Sequence, residues 1–336
     1  MSANGKLEFG IIIGDHPVSL PPHEHFDLVL RLVEAAQRNG FTYITIGQHF
    51  LYSDYRWLQP IPLMARLAGE TGDDVKLVTT VLIVPLHHPV ILAEELATLD
   101  IVSGGRLVVG AGTGYTHFEF DYLGIPYEER YRRFVESIAL MKLLWSQDRV
   151  SFDGEFWQLD DVPTHIRPIQ QPRPRLWMGA HKEPAIRRAA RLGDGWIIVP
   201  EASSAEVEAG IAATADEREK HGLPPVALPL RREIVIAKDQ DEAVEEYAKR
   251  ARERYLAYAA RENPNYDADE MRRGFREWAL DRSVLGTADE CLEQLQRIDP
   301  SRTSPVIVRP SWPGQPIEES IAYLDEVGEK VVSAFR

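Results

Sequence analysis

Cysteine is almost absent from this chain, since Cys291 is the only one among 336 residues. A single cysteine excludes an intramolecular disulfide and any cysteine-rich metal site. The first eight residues lack a basic stretch followed by an apolar one, so no secretory signal is predicted. The longest uncharged run, 77–93, contains two prolines and two histidines and makes a poor membrane span. We therefore expect a cytoplasmic protein that does not enter a membrane.

Positive charge is also scarce, because 38 Lys and Arg residues face 52 Asp and Glu residues, a net charge of −14. This balance argues against nucleic acid and anionic lipid as partners. Any anionic ligand must be held by a local arrangement of donors. The histidine pairs 23/25 and 87/88 lack the spacing and the carboxylate partners of a metal site, so no metal is predicted.

Apolar, β-branched runs recur along the chain, and helical periodicity follows each of them. They predict eight strands, at 7–13, 43–46, 75–84, 107–111, 176–179, 196–199, 232–237 and 305–309. Eight strands alternating with helices is the count of a (β/α)8 TIM barrel, here as a single domain over 1–336 with insertions after strands 4 and 7. An open doubly wound sheet is the alternative architecture.

In a barrel, functional residues lie at the carboxyl ends of the strands. Gly110, Gly112 and Gly114 follow the fourth strand and permit close approach of the backbone to a flat ring or an anion. The last glycine of a dinucleotide fingerprint is missing because position 115 is Tyr, which either contacts a ligand or only packs. His49 ends the second strand and is read either as a structural or as a catalytic histidine.

The turn at 179–184 leads from the fifth strand into a helix with Pro184 near its first position. Backbone amides at Ala180 and His181 would then be available to bind a phosphate at the positive end of that helix. Similar turns also occur without a ligand. The sequence therefore predicts a candidate phosphate site here, for which Lys182 or Arg187 could supply a further cation.

Four segments resemble the bacterial luciferase-like monooxygenase family: HPVILAEELATLDIVSGGRLVVGAGTGY (88–115), LGIPYEER (123–130), AARLGDGW (189–196) and GTADE (286–290). The resemblance implies a (β/α) barrel with one non-covalent flavin, either FMN or a deazaflavin coenzyme, at the carboxyl ends of the strands. In FMN members, reduced flavin either arrives from a separate reductase or is made from NAD(P)H. It reacts with O2 to give a 4a-peroxyflavin, which oxygenates a small organic substrate.

The resemblance leads us to predict a homodimeric monooxygenase that uses reduced FMN and O2. One alternative is a deazaflavin-dependent dehydrogenase or reductase, which transfers a hydride on the same barrel. A second alternative is a non-catalytic flavin-binding protein. Where the light-emitting luciferase subunit carries an arginine, this chain has Thr113, so bioluminescence is not predicted.

The resemblance also implies roles for individual residues. His49 matches the active-site histidine of the family, although many members have an acidic residue where this chain has Gln48. Positions beneath the flavin ring, beside it and at its phosphate are matched by Thr80, Val81, Gly112, Thr113, Tyr115, Gly179, Ala180 and His181. The first two often flank a non-proline cis peptide in the family. Four aromatic residues either wall an apolar substrate pocket or merely pack: Tyr52, Tyr55, Trp57 and Trp312.

Overall fold

A ring of eight parallel strands forms the centre of the molecule. The computed structural model describes residues 5–14, 16–52, 55–260, 268–312 and 314–336. Its barrel strands are β1 (Phe9–Ile13), β2 (Tyr43–Ile46), β3 (Lys76–Thr79), β4 (Leu107–Gly112), β5 (Arg175–Gly179), β6 (Trp196–Ile197), β7 (Leu228–Arg231) and β8 (Thr303–Val308). They pair in the order β6-β5-β4-β3-β2-β1-β8-β7, and a bridge from Ile198 to Leu230 joins the two ends. The predicted TIM barrel is confirmed.

Helices surround the barrel and follow its strands in turn. They are α1 (Pro22–Arg38), α2 (Pro60–Leu67), α3 (Pro89–Val102), α4 (His117–Tyr122), α5 (Arg130–Ser146), α6 (Glu183–Leu192), α7 (Ser204–Lys220), α8 (Gln240–Ala260), α9 (Ala268–Arg273), α10 (Phe275–Arg282), α11 (Ala288–Gln296) and α12 (Ile317–Lys330). Short 3-10 helices lie at Val84–Leu86, Tyr127–Glu129 and Val332–Phe335. Along the described ranges, no helix is both long enough and apolar enough to cross a membrane.

The apolar core has two layers. A large cluster fills the space between the strands and the surrounding helices, because parallel strands are covered on their outer face. A smaller cluster, made of Tyr43, Val78, Val108, Trp177 and Ile197, fills the inside of the barrel. The rings of Tyr43 and Trp177 stack there with their centroids 6.1 Å apart. The barrel interior is therefore packed, and any ligand must bind at its mouth.

The third strand is shorter than the sequence predicts. It ends at Thr79, a cis peptide bond joins Thr80 to Val81, and Leu82–Ile83 then pairs with β4. Backbone also approaches closely here, since a Cβ atom added at Gly110 would lie 1.9 Å from the carbonyl oxygen of Thr79. The non-proline cis bond that the resemblance implies is confirmed at this position.

The predicted seventh strand at 232–237 is wrong. The barrel uses Leu228–Arg231, whose Pro229 accepts a hydrogen bond from the amide of Ile198 through its carbonyl oxygen (2.9 Å). A proline weakens the sequence signal of a strand because it has no amide to donate. The more apolar segment Ile234–Ile236 instead pairs with Val284–Gly286 in a separate two-stranded sheet.

Two insertions carry additional structure, as predicted. After β4 the chain forms α4, α5 and a hairpin of Arg149–Asp153 with Gln158–Pro163. After β7 it forms the small two-stranded sheet together with α8 to α11. A further two-residue pair, His16–Pro17 with Tyr55–Arg56, lies beside the barrel mouth. The second insertion has its own apolar cluster, in which Tyr255 packs against Trp278 and Trp312.

Candidate active site

A cavity of about 420 Å³ lies at the carboxyl ends of the strands, and residues at the end of every barrel strand contribute to its wall. This is the position at which barrel enzymes hold their ligands. Its lining residues are Ile12, Ile13, Gly14, Gly47, Gln48, His49, Trp57, Thr80, Val81, Ile83, Gly112, Thr113, Gly114, Tyr115, Tyr127, Arg130, Tyr131, Phe134, Met178, Gly179, Ala180, His181, Lys182, Ala185, Arg188, Ala189, Ile197, Val199, Pro200, Glu201, Arg231, Tyr255 and Arg309.

The side chain of Val81 projects into the cavity wall between Gly112 and Gly179, at the ends of β4 and β5. A Cβ atom added at Gly112 would lie 2.5 Å from Cγ2 of Val81, and one added at Gly179 would lie 3.6 Å from Cγ1. The cis bond at Thr80–Val81 precedes this side chain. Any side chain at position 112 would clash with Val81, so this position requires glycine.

His49 is held by a carboxylate that is remote in sequence. Its Nδ1 atom lies 3.2 Å from both carboxylate oxygens of Glu119, which is fully buried at the start of α4. A carboxylate only accepts hydrogen bonds, so Nδ1 carries the proton and donates it. The amide of Phe50 donates to the same carboxylate at 2.7 Å. Glu119 therefore engages Nδ1 of His49 and not Nε2.

Gln48 braces the loop that carries His49. Its Oε1 atom accepts hydrogen bonds from the amide of Ile83 and from Nε2 of His87, both at 3.0 Å. Burial lowers the pKa of His87 to about 4, so the ring is neutral near pH 7 and its Nε2–H is the donor. The side-chain amide of Gln59 donates from Nε2 to the carbonyl oxygen of His49 at 3.0 Å. Gln48 therefore has a structural task, and the acidic partner of His49 comes from position 119.

The end of the cavity near β4 and β5 is basic and aromatic. The guanidinium of Arg130 stacks 3.7 Å from the ring centroid of Tyr127, and that of Arg188 lies 5.6 Å from the ring of Tyr131. Residues 180–182 precede the start of α6, whose N-terminus has the positive end of the helix dipole. Burial, reinforced by Lys182, lowers the pKa of His181. This basic end, defined as Arg130, Arg188 and the turn 179–182, can accept an anion.

Most residues that the sequence singles out line this one cavity. They are His49, Trp57, Thr80, Val81, Gly112, Thr113, Tyr115, Gly179, Ala180 and His181. Tyr52 and Tyr55 are not among the lining residues; they pack on Trp57, with ring centroids 4.8 and 6.4 Å away. Trp312 is buried in the second insertion's cluster, behind Tyr255.

Sequence reasoning missed Glu119, the partner of His49, and several side chains that line the cavity. Glu119 stands between two phenylalanines, and a carboxylate flanked by aromatic residues was the available signal. Arg187, suggested as a cation for a phosphate, instead forms ion pairs with Glu183 and with Asp216 on α7. Its neighbour Arg188 lines the cavity. Helical spacing turns successive residues about 100° apart, which explains why only one of the two arginines faces the site.

Fold and site together define a TIM-barrel protein whose ligand cavity, at the barrel mouth, is lined by a half-buried histidine paired with the buried carboxylate of Glu119. Among the described residues there is no group of three or more side chains that could hold a metal ion. Residues 7–300 match the luciferase-like monooxygenase family. The chain belongs to this family.

The named relatives include both flavin-dependent and F420-dependent proteins. The chain is 31% identical over 169 residues to an FMNH(2)-dependent dimethylsulfone monooxygenase of Pseudomonas putida, covering 49% of this chain and 46% of that protein. It is 30% identical to an F420-dependent hydroxymycolic acid dehydrogenase of Mycobacterium tuberculosis, covering 66% and 62%. It is 32% identical to the oxygenase component of a flavin-dependent trigonelline monooxygenase of Acinetobacter baylyi, covering 52% and 49%.

Several solved structures resemble the chain over 98% of its length. The monooxygenase RslO1 from Streptomyces bottropensis superposes with a TM-score of 0.82 at 26% identity, covering 98% of this chain and 100% of that one. The relatives named above are matched over only about half to three fifths of their own length. The printed names of these relatives include an FMNH(2)-dependent monooxygenase, an F420-dependent dehydrogenase and the oxygenase component of a flavin-dependent monooxygenase.

Proposed function

We propose that this protein is a flavin-dependent monooxygenase that uses reduced FMN and O2 to oxygenate a small organic substrate. The observation that carries the proposal is the cavity itself. The side chain of Val81 projects from its wall, the His49–Glu119 pair lies on one side and the basic end on another. The likeness to the monooxygenase RslO1, at 26% identity over nearly the full chain, supports oxygen chemistry.

The residues present fit FMN. An added Cβ at Gly114 would lie 2.7 Å from Ile83, so glycine keeps the backbone of the β4 loop close to the cavity wall. Val81 would support one face of the flavin ring, with Gly112, Thr113 and Tyr115 beside it. The basic end would hold the phosphate through backbone amides at 180 and 181 and the guanidinium of Arg188.

Bound reduced FMN would supply the electrons with which O2 is activated. His49 would hold or transfer a proton at Nε2 beside the reacting atoms. Glu119 would fix the ring orientation through Nδ1 and stabilise the positive charge whenever His49 is protonated. Trp57 and Tyr115, whose ring centroids lie 4.9 and 5.8 Å from the imidazole, would limit the access of water to it.

A deazaflavin-dependent dehydrogenase or reductase is the second candidate function. The F420-dependent relative aligns over 66% of this chain, a larger share than either flavin-dependent relative. On this alternative, His49 would exchange a proton with the substrate's oxygen or nitrogen while the coenzyme exchanges a hydride. The cavity would then also have to accommodate the anionic tail of the coenzyme.

Two partner proposals accompany the monooxygenase. We propose that a separate NAD(P)H:flavin reductase delivers reduced FMN, because the trigonelline relative is named an oxygenase component. We also propose a homodimer, because α3 exposes the apolar side chains of Ile91, Ile101 and Val102.

An isotope experiment tests oxygen insertion. The protein is supplied with FMN, NADH and a flavin reductase under ¹⁸O2, and small sulfones, ketones, aldehydes and N-heterocycles are screened by mass spectrometry. We expect one product that gains a single ¹⁸O atom, at least tenfold above a His49→Ala control. Substrate conversion without ¹⁸O, and only with reduced deazaflavin, would instead assign hydride transfer.

A further inference from the structure

One glutamine of the cavity wall is hydrogen-bonded to three separate parts of the molecule. Gln48 is buried and directly precedes His49. Its Oε1 atom accepts from the amide of Ile83 and from Nε2 of His87, both at 3.0 Å. Its Nε2 atom donates to Oε1 of Gln59 at 3.1 Å. Both acceptor positions of the oxygen are occupied, so this carbonyl serves the protein and not a ligand.

The backbone amide of Ile83 fixes the direction of this network. An amide N–H can only donate, so the Gln48 atom that faces it must be the oxygen. The NH2 group of Gln48 then faces Gln59, whose oxygen receives it. That leaves Nε2 of Gln59 to donate to the carbonyl oxygen of His49 at 3.0 Å. Reversing either side-chain amide would place donor against donor or acceptor against acceptor.

The first arm of the network holds the part of the cavity wall that carries Val81. The amide of Thr80 donates to the carbonyl oxygen of Ile46, the last residue of β2, at 2.7 Å. Three residues further on, the side chain of Gln48 accepts from the amide of Ile83. Val81 therefore lies between two points at which its segment is hydrogen-bonded to the β2 side of the barrel. Removing the Gln48 oxygen would free one of them.

The second arm of the network holds His49. Gln59 donates to its backbone carbonyl, and the carboxylate of Glu119 holds its imidazole. The distance of 3.2 Å from Nδ1 to the carboxylate is at the long end of the usual range for a hydrogen bond. A shift of the His49 backbone would lengthen this contact further. The imidazole is therefore sensitive to the bond that Gln59 makes.

We propose that Gln48 and Gln59 are positioning residues. Together they keep Val81 and His49 in a fixed arrangement within the cavity wall. The assignment rests on the proposed function, in which Val81 supports the flavin and His49 handles a proton. Fixed geometry matters because a displacement of about 1 Å can cost about 100-fold in rate. The two arms can be broken separately, because each is made by a different glutamine.

Two readouts that need no substrate test the assignment. The first is the affinity for oxidised FMN, measured by fluorescence titration. The second is the NMR signal of Nδ1–H of His49 in protein labelled with ¹⁵N-histidine, assigned through its absence in His49→Ala. Gln48→Leu breaks both arms and leaves the buried amide of Ile83 without an acceptor. We expect FMN affinity to fall about tenfold and the His49 signal to move or disappear.

Two further variants break the second arm alone. Gln59→Leu removes the donor to the His49 carbonyl and leaves the bond from Ile83 to Gln48 in place. Gln48→Glu, at about pH 8 where a carboxylate that accepts two hydrogen bonds is ionised, keeps its acceptors but cannot donate to Gln59. Both variants should change the His49 signal and keep FMN affinity within about threefold of that of the unmodified protein.

A glutamine elsewhere in the chain provides the matched control. Gln37 of α1 bridges a loop in the same manner, since it accepts from the amide of Gly72 at 2.9 Å and donates to the carbonyl oxygen of Glu70 at 3.2 Å. It is not among the residues that line the cavity. Gln37→Leu should therefore leave both readouts unchanged.

Three results would overturn the assignment. They are an unchanged His49 signal in Gln59→Leu and Gln48→Glu, a tenfold loss of FMN affinity in Gln59→Leu, and unchanged FMN affinity in Gln48→Leu. Circular dichroism checks that Gln48→Leu folds, and the other two variants decide the test if it does not. If the unmodified protein binds the deazaflavin and not FMN, the proposed oxygen chemistry fails, and the same titrations with the deazaflavin still measure both arms.

Discussion

At the residue scale, the central feature is a pair that the sequence separates by 70 positions. His49 follows β2 and Glu119 lies in α4, yet Nδ1 and both carboxylate oxygens are 3.2 Å apart. The carboxylate is fully buried and also accepts the amide hydrogen of Phe50. Such a pair fixes the tautomer of the imidazole, so the proposed proton transfer depends on both residues.

Replacing Glu119 by Gln keeps an acceptor for Phe50 and removes the charge beside His49. We expect kcat to fall roughly 100-fold, the scale of general acid–base catalysis, with KM and FMN affinity within about twofold. His49→Ala should lose a similar factor. The double variant should be no worse than the worse single variant, because the residues act as one unit. Losses that multiply, measured by oxygen uptake, would show independent roles.

His87 should make the fold sensitive to acid. Its pKa is about 4 in the folded protein and about 6.5 when exposed, so between these values the unfolded chain binds a proton that the folded chain does not. Its contribution to stability is therefore complete above pH 6.5 and is lost as pH falls towards 4, by about 3 kcal/mol.

The variant His87→Gln removes this titration and keeps a donor for Gln48. Urea unfolding at pH 7 and pH 4.5 should show that the variant loses about 2 kcal/mol less stability than the unmodified protein over this interval. Equal losses in both proteins would show that His87 does not titrate in this range.

Glu119 also shows where prediction from sequence stops at the residue scale. His49 and Val81 could be placed because they match positions of the family that the sequence resembles, and the cavity brings them together. The partner of His49 could not, because a contact across 70 positions depends on how α4 packs against the β2 loop. Local spacing carries no information about such packing.

At the element scale, α6 presents two neighbouring arginines to different surroundings, about 100° apart around the helix. Arg187 pairs with Asp216 of α7 on the outside, whereas Arg188 lines the cavity beside Tyr131. The two residues have the same charge and lie in the same helix, so substitutions at them form a matched pair of variants. They separate the effect of a cation at the phosphate from the effect of changing the helix.

Arg188→Gln should weaken FMN binding about tenfold, since a charge-assisted hydrogen bond to phosphate contributes about 1.5–3 kcal/mol. Riboflavin, which has no phosphate, should bind both proteins equally. Arg187→Gln should leave both affinities unchanged. Fluorescence titration of the two ligands provides the measurement, and an equal loss for riboflavin would contradict a phosphate contact at Arg188.

Strand prediction succeeded where local pattern and tertiary role agree. The second strand was predicted at its observed limits, 43–46. The third was overextended because the apolar run continues through the cis bond at Thr80–Val81, and backbone isomerism leaves no hydrophobic signature. The seventh was misplaced because Pro229 weakened the true strand while a more apolar segment followed it.

At the scale of the whole molecule, strand number and alternation were enough to predict the barrel, because few architectures accommodate eight βα repeats. They could not predict which loop side chains meet at its mouth. The interpretation of residues 1–336 as one domain stays a prediction, as does the homodimer.

The homodimer can be tested through α3. Ile91 and Val102 are three helical turns apart on one face and are 60% and 55% exposed. Light scattering should give twice the chain mass of 38.1 kDa, and the double variant Ile91→Arg/Val102→Arg should give the single mass with its circular dichroism unchanged. A monomer mass for the unmodified protein would contradict the proposal.

The most direct test of the account is a parallel titration of the ligand-free protein with reduced FMN and reduced deazaflavin under anaerobic conditions, followed by rapid mixing of each complex with O2. The account predicts tighter binding of reduced FMN and oxidation of that complex by O2 with kinetics distinct from those of free reduced FMN. Preferential binding of the deazaflavin, with no reaction towards O2, would contradict it and assign the barrel to hydride transfer.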